Sequence, residues 1–552
     1  MLFLAAALLI ITAGLSAGTM LSENFSYDVE HYSVGIRGIT MPEVRLLESE
    51  GFLIEWAREG KAMLYVNAEM ERMLRNMGHD PVRMERTAPL VPYPSLDDIY
   101  DAIDDVVAAH PDICRKVTIG TSIQGRPIEA VVVSDNVNNE EIEPEMRIHG
   151  SIHGDEQAAA TVTLNYLEVL TDSYATSPMC EYIVNSTESW IIPVLNPDGY
   201  FNDQRSNANG VDLNRNLSYM WNGSGGGASP FSEPETQALR DITMQDWPDV
   251  SNFVNPFTAG LSLHGGEDCI NTVWNYTGVP LPEDSGLVHS QAIEYASSPG
   301  IMDYFGGSFW IAFPGHSWYE THGDVNDWSY GECGTVDHTI EVHDDKHVPD
   351  WPGVNNAHYM AILDFFTTST YGIWGTVTDT NGDPVDALVE IGISSATDSE
   401  PLRFCRTDVT LGDYHKALLP GTYDVSVSAD GYNPQLQTDI VVNSQERVEV
   451  SFVLSGTGIQ GAVPDVTGQF SVYPNPSSSS VQFSLPSTGV GGNVSIYDIT
   501  GRSVRVQQVP AGTANHVWNL EDNEGTRVPD GMYLARFESG SSSWTARVLV
   551  YR

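Results

Sequence analysis

Residues 146–156 read Met146-Arg147-Ile148-His149-Gly150-Ser151-Ile152-His153-Gly154-Asp155-Glu156. The first four read as a short apolar strand. His153 and Glu156, three apart in the turn that follows, offer one nitrogen and one carboxylate to a single metal ion. Alone the pattern says little: with 15 histidines in the chain, roughly one H-x-x-E arises by chance, and a solvated loop is the plain alternative. His264 raises its weight. It sits just after another apolar run at 260–263 and precedes Gly265-Gly266, which lets backbone approach a ligand closely. Three N/O ligands with an open fourth position make a catalytic zinc site.

Working outward from that stretch, apolar strand candidates at 128–134 and 190–195 join those at 146–149 and 260–263. Ser95-Leu-Asp-Asp is an N-cap signal opening an amphipathic helix to Ala109. Strand and helix segments alternate from about 92 to 368, the pattern of an α/β domain with helices covering a sheet. Upstream, 19–91 reads as a small α/β unit: an alternating segment at 31–36, a helix-like stretch at 42–58, a strand at 62–66 and a further segment at 68–77. This unit is read as a propeptide or a fixed accessory domain. Beyond Tyr371 helical periodicity disappears. Alternation at Tyr423, Val425, Val427 and at Val448, Val450, Phe452, Leu454 predicts a β-sandwich over 369–454, followed by a Gly-rich linker at 455–468 and a second β module at 469–552. The fold class is therefore α/β: a mixed sheet flanked by helices, preceded by a small α/β unit and followed by two all-β modules.

Residues 1–18 form an apolar run ending in small residues and read as a cleaved export signal, with an uncleaved anchor as the alternative. Lys plus Arg number 26 against 74 for Asp plus Glu, a net charge of −48. A field of that sign repels nucleic acid and anionic lipid. The lysines are Lys61, Lys116, Lys346 and Lys416. The five cysteines are widely spaced without C-x-x-C, which gives neither a thiolate metal site nor a redox motif; in an exported chain Cys269 and Cys333 are a candidate bridge.

H-E-x-x-H, G-x-S-x-G and a Walker loop are absent. Two further segments carry chemistry. Arg205-Ser-Asn-Ala-Asn-Gly-Val-Asp212-Leu-Asn214-Arg215-Asn216 concentrates guanidinium and amide donors, suited to bidentate capture of a carboxylate, with surface ion pairing as the alternative. The segment Trp318-Tyr319 through Asn326-Asp327-Trp328 leads into an alternating strand that ends in Glu341, for which a structural salt bridge is the plain alternative.

In this order the blocks resemble the zinc metallocarboxypeptidases of the funnel type over roughly residues 92–368. The resemblance implies His153, Glu156 and His264 as ligands of one Zn2+, Glu341 as general base and Arg205 as the carbonyl-polarising arginine. That arginine lies further upstream of the Asn-Arg pair in digestive members. It implies Asn214 and Arg215 as the pair that holds a substrate carboxylate, and Tyr319 as the mobile tyrosine. Tyr319 stands eight residues before Asp327 and Glu341 thirteen after Trp328, as in the family. Asp212 becomes the partner that fixes the His153 tautomer, and Asn326 lines the specificity pocket, closer to the glutamine of the regulatory branch than to an acid. Gly372-Ile-Trp-Gly-Thr-Val-Thr-Asp, Gly412-Asp-Tyr and Ala429-Asp-Gly-Tyr432 are similar to the transthyretin-like module of that branch. Tyr473-Pro-Asn-Pro, Ile496-Tyr-Asp-Ile-Thr-Gly501-Arg502 and Gly531-Met-Tyr533 resemble the immunoglobulin-like sorting domain of type IX secretion cargo.

The expectation is a secreted, monomeric zinc exopeptidase acting on peptide and protein C-termini, exported through secretion machinery that reads its tail, with no nucleic-acid partner. The alternatives are a cell-wall γ-D-glutamyl peptide amidase or endopeptidase on the same fold, and an inactive surface adhesin.

Overall fold

The computed structural model describes residue 27 and residues 29–550 apart from 59, 85–87, 246–252, 313, 395–399, 457–469, 474–479, 487–489, 499–501, 514, 524, 530 and 541. The expected export signal at 1–18 and nearly all of the expected linker lie outside these residues. The chain divides into two compact units, Met1–Thr457 and Gly458–Arg552.

The first unit opens with β1 (His31–Arg37), α1 (Met41–Ser49), β2 (Leu53–Arg58), β3 (Lys61–Asn67), α2 (Ala68–Asn76) and β4 (Val82–Arg83). The strands form an antiparallel sheet in the order β2-β3-β1-β4. Val34, Ile36, Leu47, Leu64 and Leu74 make its core. The helix-like stretch expected at 42–58 is corrected here. The helix stops at Ser49, Gly51 turns the chain at φ 88°, and Leu53 onward is strand.

Next come α3 (Leu96–Ala109), β5 (Cys114–Thr121), β6 (Pro127–Val133), β7 (Glu145–His149), α4 (Gln157–Asp172), α5 (Pro178–Val184), β8 (Glu188–Ile192), α6 (Pro197–Asn202), α7 (Pro234–Asp241), β9 (Ala259–His264), β10 (Glu267–Asn271), α8 (Ser285–Ala296), α9 (Pro299–Phe305), β11 (Trp310–Ala312), α10 (Val325–Trp328), β12 (Val336–His343) and α11 (Trp351–Ser369). Ser95 caps α3 as its sequence predicts: its Oγ accepts from the Asp98 amide at 3.2 Å, and Asp98 returns a carboxylate to the Ser95 amide at 2.8 Å. The eight strands form one mixed sheet, β11-β10-β12-β9-β7-β8-β6-β5. Its centre, β12-β9-β7-β8, is parallel. Strands buried on both faces are the rule for parallel sheets, and every residue of β7, β8 and β9 is buried. One face packs Ile148, Leu261 and Ile340 on α3, α4, α5 and α11; the other packs Val132, Ile192 and Leu213 beneath α7 and the long connections.

After α11 the chain turns all-β. Two sheets enclose one core of Ile373, Val377, Val389, Val425 and Phe452. In the second compact unit, a three-stranded and a four-stranded antiparallel sheet share a core of Phe483, Ile496, Trp518 and Phe537. The expected Cys269–Cys333 bridge is not formed: all five cysteines are free and buried. Among the described residues no helix is long and apolar enough to cross a membrane.

Candidate metal centre and active site

Parallel strands deliver their C-terminal ends to one rim of the sheet, and loops leaving that rim carry the chemistry. After β7, Ser151 takes a left-handed φ of 46° and the chain turns tightly through His153. At Gly154 a Cβ would meet the Gly199 backbone at 1.9 Å, so only glycine fits. Glu156 occupies the N-cap of α4 but makes no side-chain capping bond; its carboxylate turns inward instead. His264 ends β9, and Glu341 is its register partner on β12. Adjacent strand ends thus present an imidazole and a second acid side by side.

The donor atoms of His153, Glu156 and His264 lie within 4.8 Å of one another, and all three side chains are buried. His153 Nδ1 is 3.0 Å from Glu156 Oε1, His264 Nδ1 is 3.0 Å from Glu156 Oε2, and the two Nδ1 atoms are 3.1 Å apart. The outer nitrogens set the tautomers. His153 Nε2 donates to Asp212 Oδ1 at 3.0 Å, and His264 Nε2 lies 3.1 Å from Ser262 Oγ, which in turn lies 3.0 Å from His149 Nε2. With both outer nitrogens protonated, two lone pairs and a carboxylate face one another. Such a set of acceptors repels itself unless a cation sits among them, so the residues fit a divalent metal of the zinc type.

Arg205 frames this cluster. Its Nε and Nη2 donate to Asp212 Oδ2 at 3.1 and 2.8 Å, and its Nη1 lies 3.1 Å from His153 Nδ1 and 3.4 Å from Glu156 Oε1. Against the upward push of burial, Arg205, His153 and Arg215 hold the Asp212 carboxyl well below its usual range. Glu341 goes the other way: burial and then the charge of Glu156 push it well above the ordinary carboxylate value, opposed by Lys346 and Arg205. Asn214 Nδ2 is 3.5 Å from His264 Nε2, and its Oδ1 accepts from the Val325 amide at 2.9 Å. Arg215 Nη2 donates to Tyr319 Oη at 3.3 Å. Asn326 is tied down, accepting from Thr339 Oγ1 at 2.7 Å and donating to the Asn271 carbonyl at 2.9 Å. Arg205 and Asp212 thus bond to the His153–Glu156–His264 cluster, Asn214 approaches His264 and Arg215 bonds Tyr319, while Glu341 lies beside His264 in strand register and Asn326 on α10.

Three contributors escaped the sequence reading. Ser262 and His149 bridge from neighbouring strands. Lys346 donates to Asp155 Oδ2 at 3.1 Å and lies 3.6 Å from Glu156 Oε1. As one of four lysines, five residues past Glu341, it was the cation whose scarcity marked it. It also pairs with Glu55 of β2, one of several contacts that the N-terminal unit makes near the cluster. Tyr65 of β3 donates to Gln204 Oε1 at 2.5 Å and accepts from the Arg205 amide at 3.2 Å, and Arg58 pairs with Glu267 at 3.3 Å. Tyr319 packs against the core of the N-terminal sheet.

Residues 99–364 match the zinc carboxypeptidase family, 372–455 the carboxypeptidase regulatory-like domain and 471–551 the secretion system C-terminal sorting domain. Carboxypeptidase SOL1 of Arabidopsis thaliana is 29% identical over 390 residues, covering 66% of this chain and 72% of that protein. The carboxypeptidase N catalytic chain of Homo sapiens is 29% identical over 415 residues, 65% of this chain and 84% of that one. Carboxypeptidase D of Mus musculus is 29% identical over 375 residues, 62% of this chain but 26% of that protein. The chain thus spans about a quarter of the length of the carboxypeptidase D relatives it matches. Its sheet and buried His-Glu-His cluster belong to a domain of the zinc carboxypeptidase family, followed by a carboxypeptidase regulatory-like domain and by a sorting domain that marks the chain for secretion.

Proposed function

We propose that the chain is a secreted carboxypeptidase that hydrolyses the last peptide bond of peptides and proteins. The observation that carries this reading is the convergence of His153, Glu156 and His264 on one point, with Glu341 on the adjoining strand and two arginines beside it. His153, Glu156 and His264 would hold the zinc, which when bound supplies Lewis acidity that polarises a carbonyl and lowers the pKa of water. Glu341 accepts the proton of the attacking water and returns it to the leaving amine. Arg205 points its guanidinium at the same spot, where it donates to the oxyanion that forms on the scissile carbonyl. Arg215 with Asn214 grips the terminal carboxylate, and Tyr319, bonded to Arg215, covers it. An internal peptide bond offers no such charge, which makes the device selective for chain ends.

The N-terminal unit keeps this site shut. Glu55 satisfies Lys346, Tyr65 occupies Gln204 and the Arg205 amide, and the N-terminal core rests on Tyr319. Residues 19–91 act as a removable cover, and activity follows their release. The test combines metal analysis of the purified protein with blocked peptides that differ only in their last residue, offered as free acids and as amides, before and after the cover is cut away. Release of C-terminal residues from the acids but not the amides, with one zinc per chain, is the expected result. Absence of zinc, equal cleavage of the amides, or release of diaminopimelate from muropeptides in place of these products would overturn it.

A further inference from the structure

Beside Glu341 lies a polar patch that the proposed reaction leaves unused. Cross-strand partners, and residues two apart on one strand, share a face of a sheet. Asn271, the last residue of β10, stands opposite Thr339 of β12, just as Cys269 stands opposite Glu341. Asn271 and Thr339 therefore face the same side as Glu341, about 7 Å further along the strands. Asn326 ties the two strands together here, through the Asn271 carbonyl and the Thr339 hydroxyl.

Two side-chain oxygens in this patch lack a partner. Asn271 Oδ1 and Asn275 Oδ1 are buried without a hydrogen bond, in residues 9% and 2% exposed. The Asn275 amide is fixed in its orientation: its Nδ2 donates to Asp324 Oδ1 at 2.9 Å, and a carboxylate only accepts. Both oxygens lie 2.0 Å from the point that a Cβ on Gly315 would occupy, so they stand no more than 4.0 Å apart. Buried acceptors are almost always bonded, and this pair calls for a donor that comes from outside the chain.

The surroundings decide which donor fits. Asp324 and Asp327, the acids bonded to Asn275, have every oxygen engaged: Asp324 by Asn275 Nδ2, the Asp327 amide and Thr321 Oγ1, and Asp327 by the amides of Asn275 and Tyr276. The pair thus offers amide dipoles and no free carboxylate. A lysine or arginine side chain brought here would leave water without a counter-ion, and a glutamate would face two acceptors. An apolar side chain would leave both oxygens unbonded. An uncharged N–H or O–H donor suits them, and a carboxamide, with two hydrogens on one nitrogen, can bond both. We propose that Asn271 and Asn275 select peptides whose last residue carries an uncharged hydrogen-bond donor, glutamine and asparagine foremost. This rests on the carboxypeptidase reading and adds its substrate class.

The test uses the zinc-loaded full-length protein, intact or cut within residues 19–91, whichever form is the more active, with blocked dipeptides ending in Gln, Met, Lys and Glu. Gln and Met are close in size, so the ratio of their kcat/KM values reads the hydrogen bonds. That ratio should exceed about ten in the unchanged chain, with Lys and Glu both below Gln. Asn271→Leu and Asn275→Leu should each lower it at least about tenfold, and Asn271→Asp, which gives the patch a charge, should raise the Lys-to-Gln ratio by about as much. Each ratio is taken within one preparation, so a change in the amount of folded enzyme cancels. A Gln-to-Met ratio near one, a preference for Lys in the unchanged chain, or a ratio that survives either leucine substitution in a protein still holding zinc would overturn the selection and leave the carboxypeptidase reading intact. Release of no last residue from any of the four would overturn both.

Discussion

Glu341 and Asp212 illustrate how one carboxylate differs from another by its surroundings alone. Glu341 is driven up by burial first and by the nearby charge of Glu156 second; Asp212 sits between Arg205 and His153 and, despite its own burial, is driven down. Substituting Glu341→Gln keeps the shape and removes the proton acceptor, so kcat/KM should fall by about 10²–10⁴-fold while zinc content, measured by atomic emission, stays at one per chain. Asp212→Asn should instead weaken zinc binding by about 10–100-fold, read by competition with a chromogenic chelator, because His153 loses its anionic partner and Arg205 its counter-charge. His153 and Glu156 were legible because they are three residues apart and need only a turn to meet. The role of Asp212 was legible by resemblance alone. Lys346 was not, since its partners Asp155 and Glu55 are 191 and 291 residues away, and no local pattern announces a pairing of that length.

Elements differ in how clearly the sequence declares them. The start of α3 is written in Ser95 and Asp98, a pair that reads the same in chain and structure. The overrun at 42–58 has a physical origin: β2 and β3 shift register between Ile54 and Trp56, so the bulge erases the period-two alternation that distinguishes a strand from a helix. On β12 and α11, His338 and His358 are fully enclosed, and burial lowers both to about 4. Their folded pKa lies below the unfolded value of about 6.5, so the unfolded chain binds more protons between those limits. Their contribution to stability is present above about 6.5 and is lost as pH falls towards 4. Going from pH 7 to pH 5 should therefore cost about 2 kcal/mol at each. In urea titrations at the two pH values, His358→Gln should lose correspondingly less on acidification than the unchanged chain. A burial-raised carboxyl such as Glu332, pushed up to about 7, works in the opposite sense across the same range and moderates the total.

For the molecule as a whole, its charge and the proposed N-terminal cover each lead to a prediction. With a net charge of −48, self-repulsion strains the folded state, and salt relieves it as the screening length shrinks to about 3 Å at 1 M. Raising NaCl from 0.05 to 1 M should therefore raise Tm in scanning fluorimetry, where a protein held mainly by surface ion pairs would lose stability. Excision of the N-terminal unit should raise hydrolysis of a blocked dipeptide at least about tenfold, which corresponds to some 1.4 kcal/mol of closing energy; equal rates before and after cutting would remove the cover from the account. The α/β class was legible from strand and helix alternation, and the β character beyond Tyr371 from period-two patterning. That the small N-terminal sheet would rest on Arg205 and Tyr319 was not, because docking depends on surface shape rather than periodicity. The His-Glu-His cluster has a further consequence for how the protein is made. His264 reaches Glu156 across 108 positions of chain, and the strands that carry them pair only through long crossovers, so loop closure must be achieved before the ligands meet. A nascent or unfolded chain therefore offers an ion only the local His153-Glu156 half of its cage. Capture of the metal becomes a late event that locks in folding already completed, and its uptake kinetics should follow recovery of native structure rather than precede it.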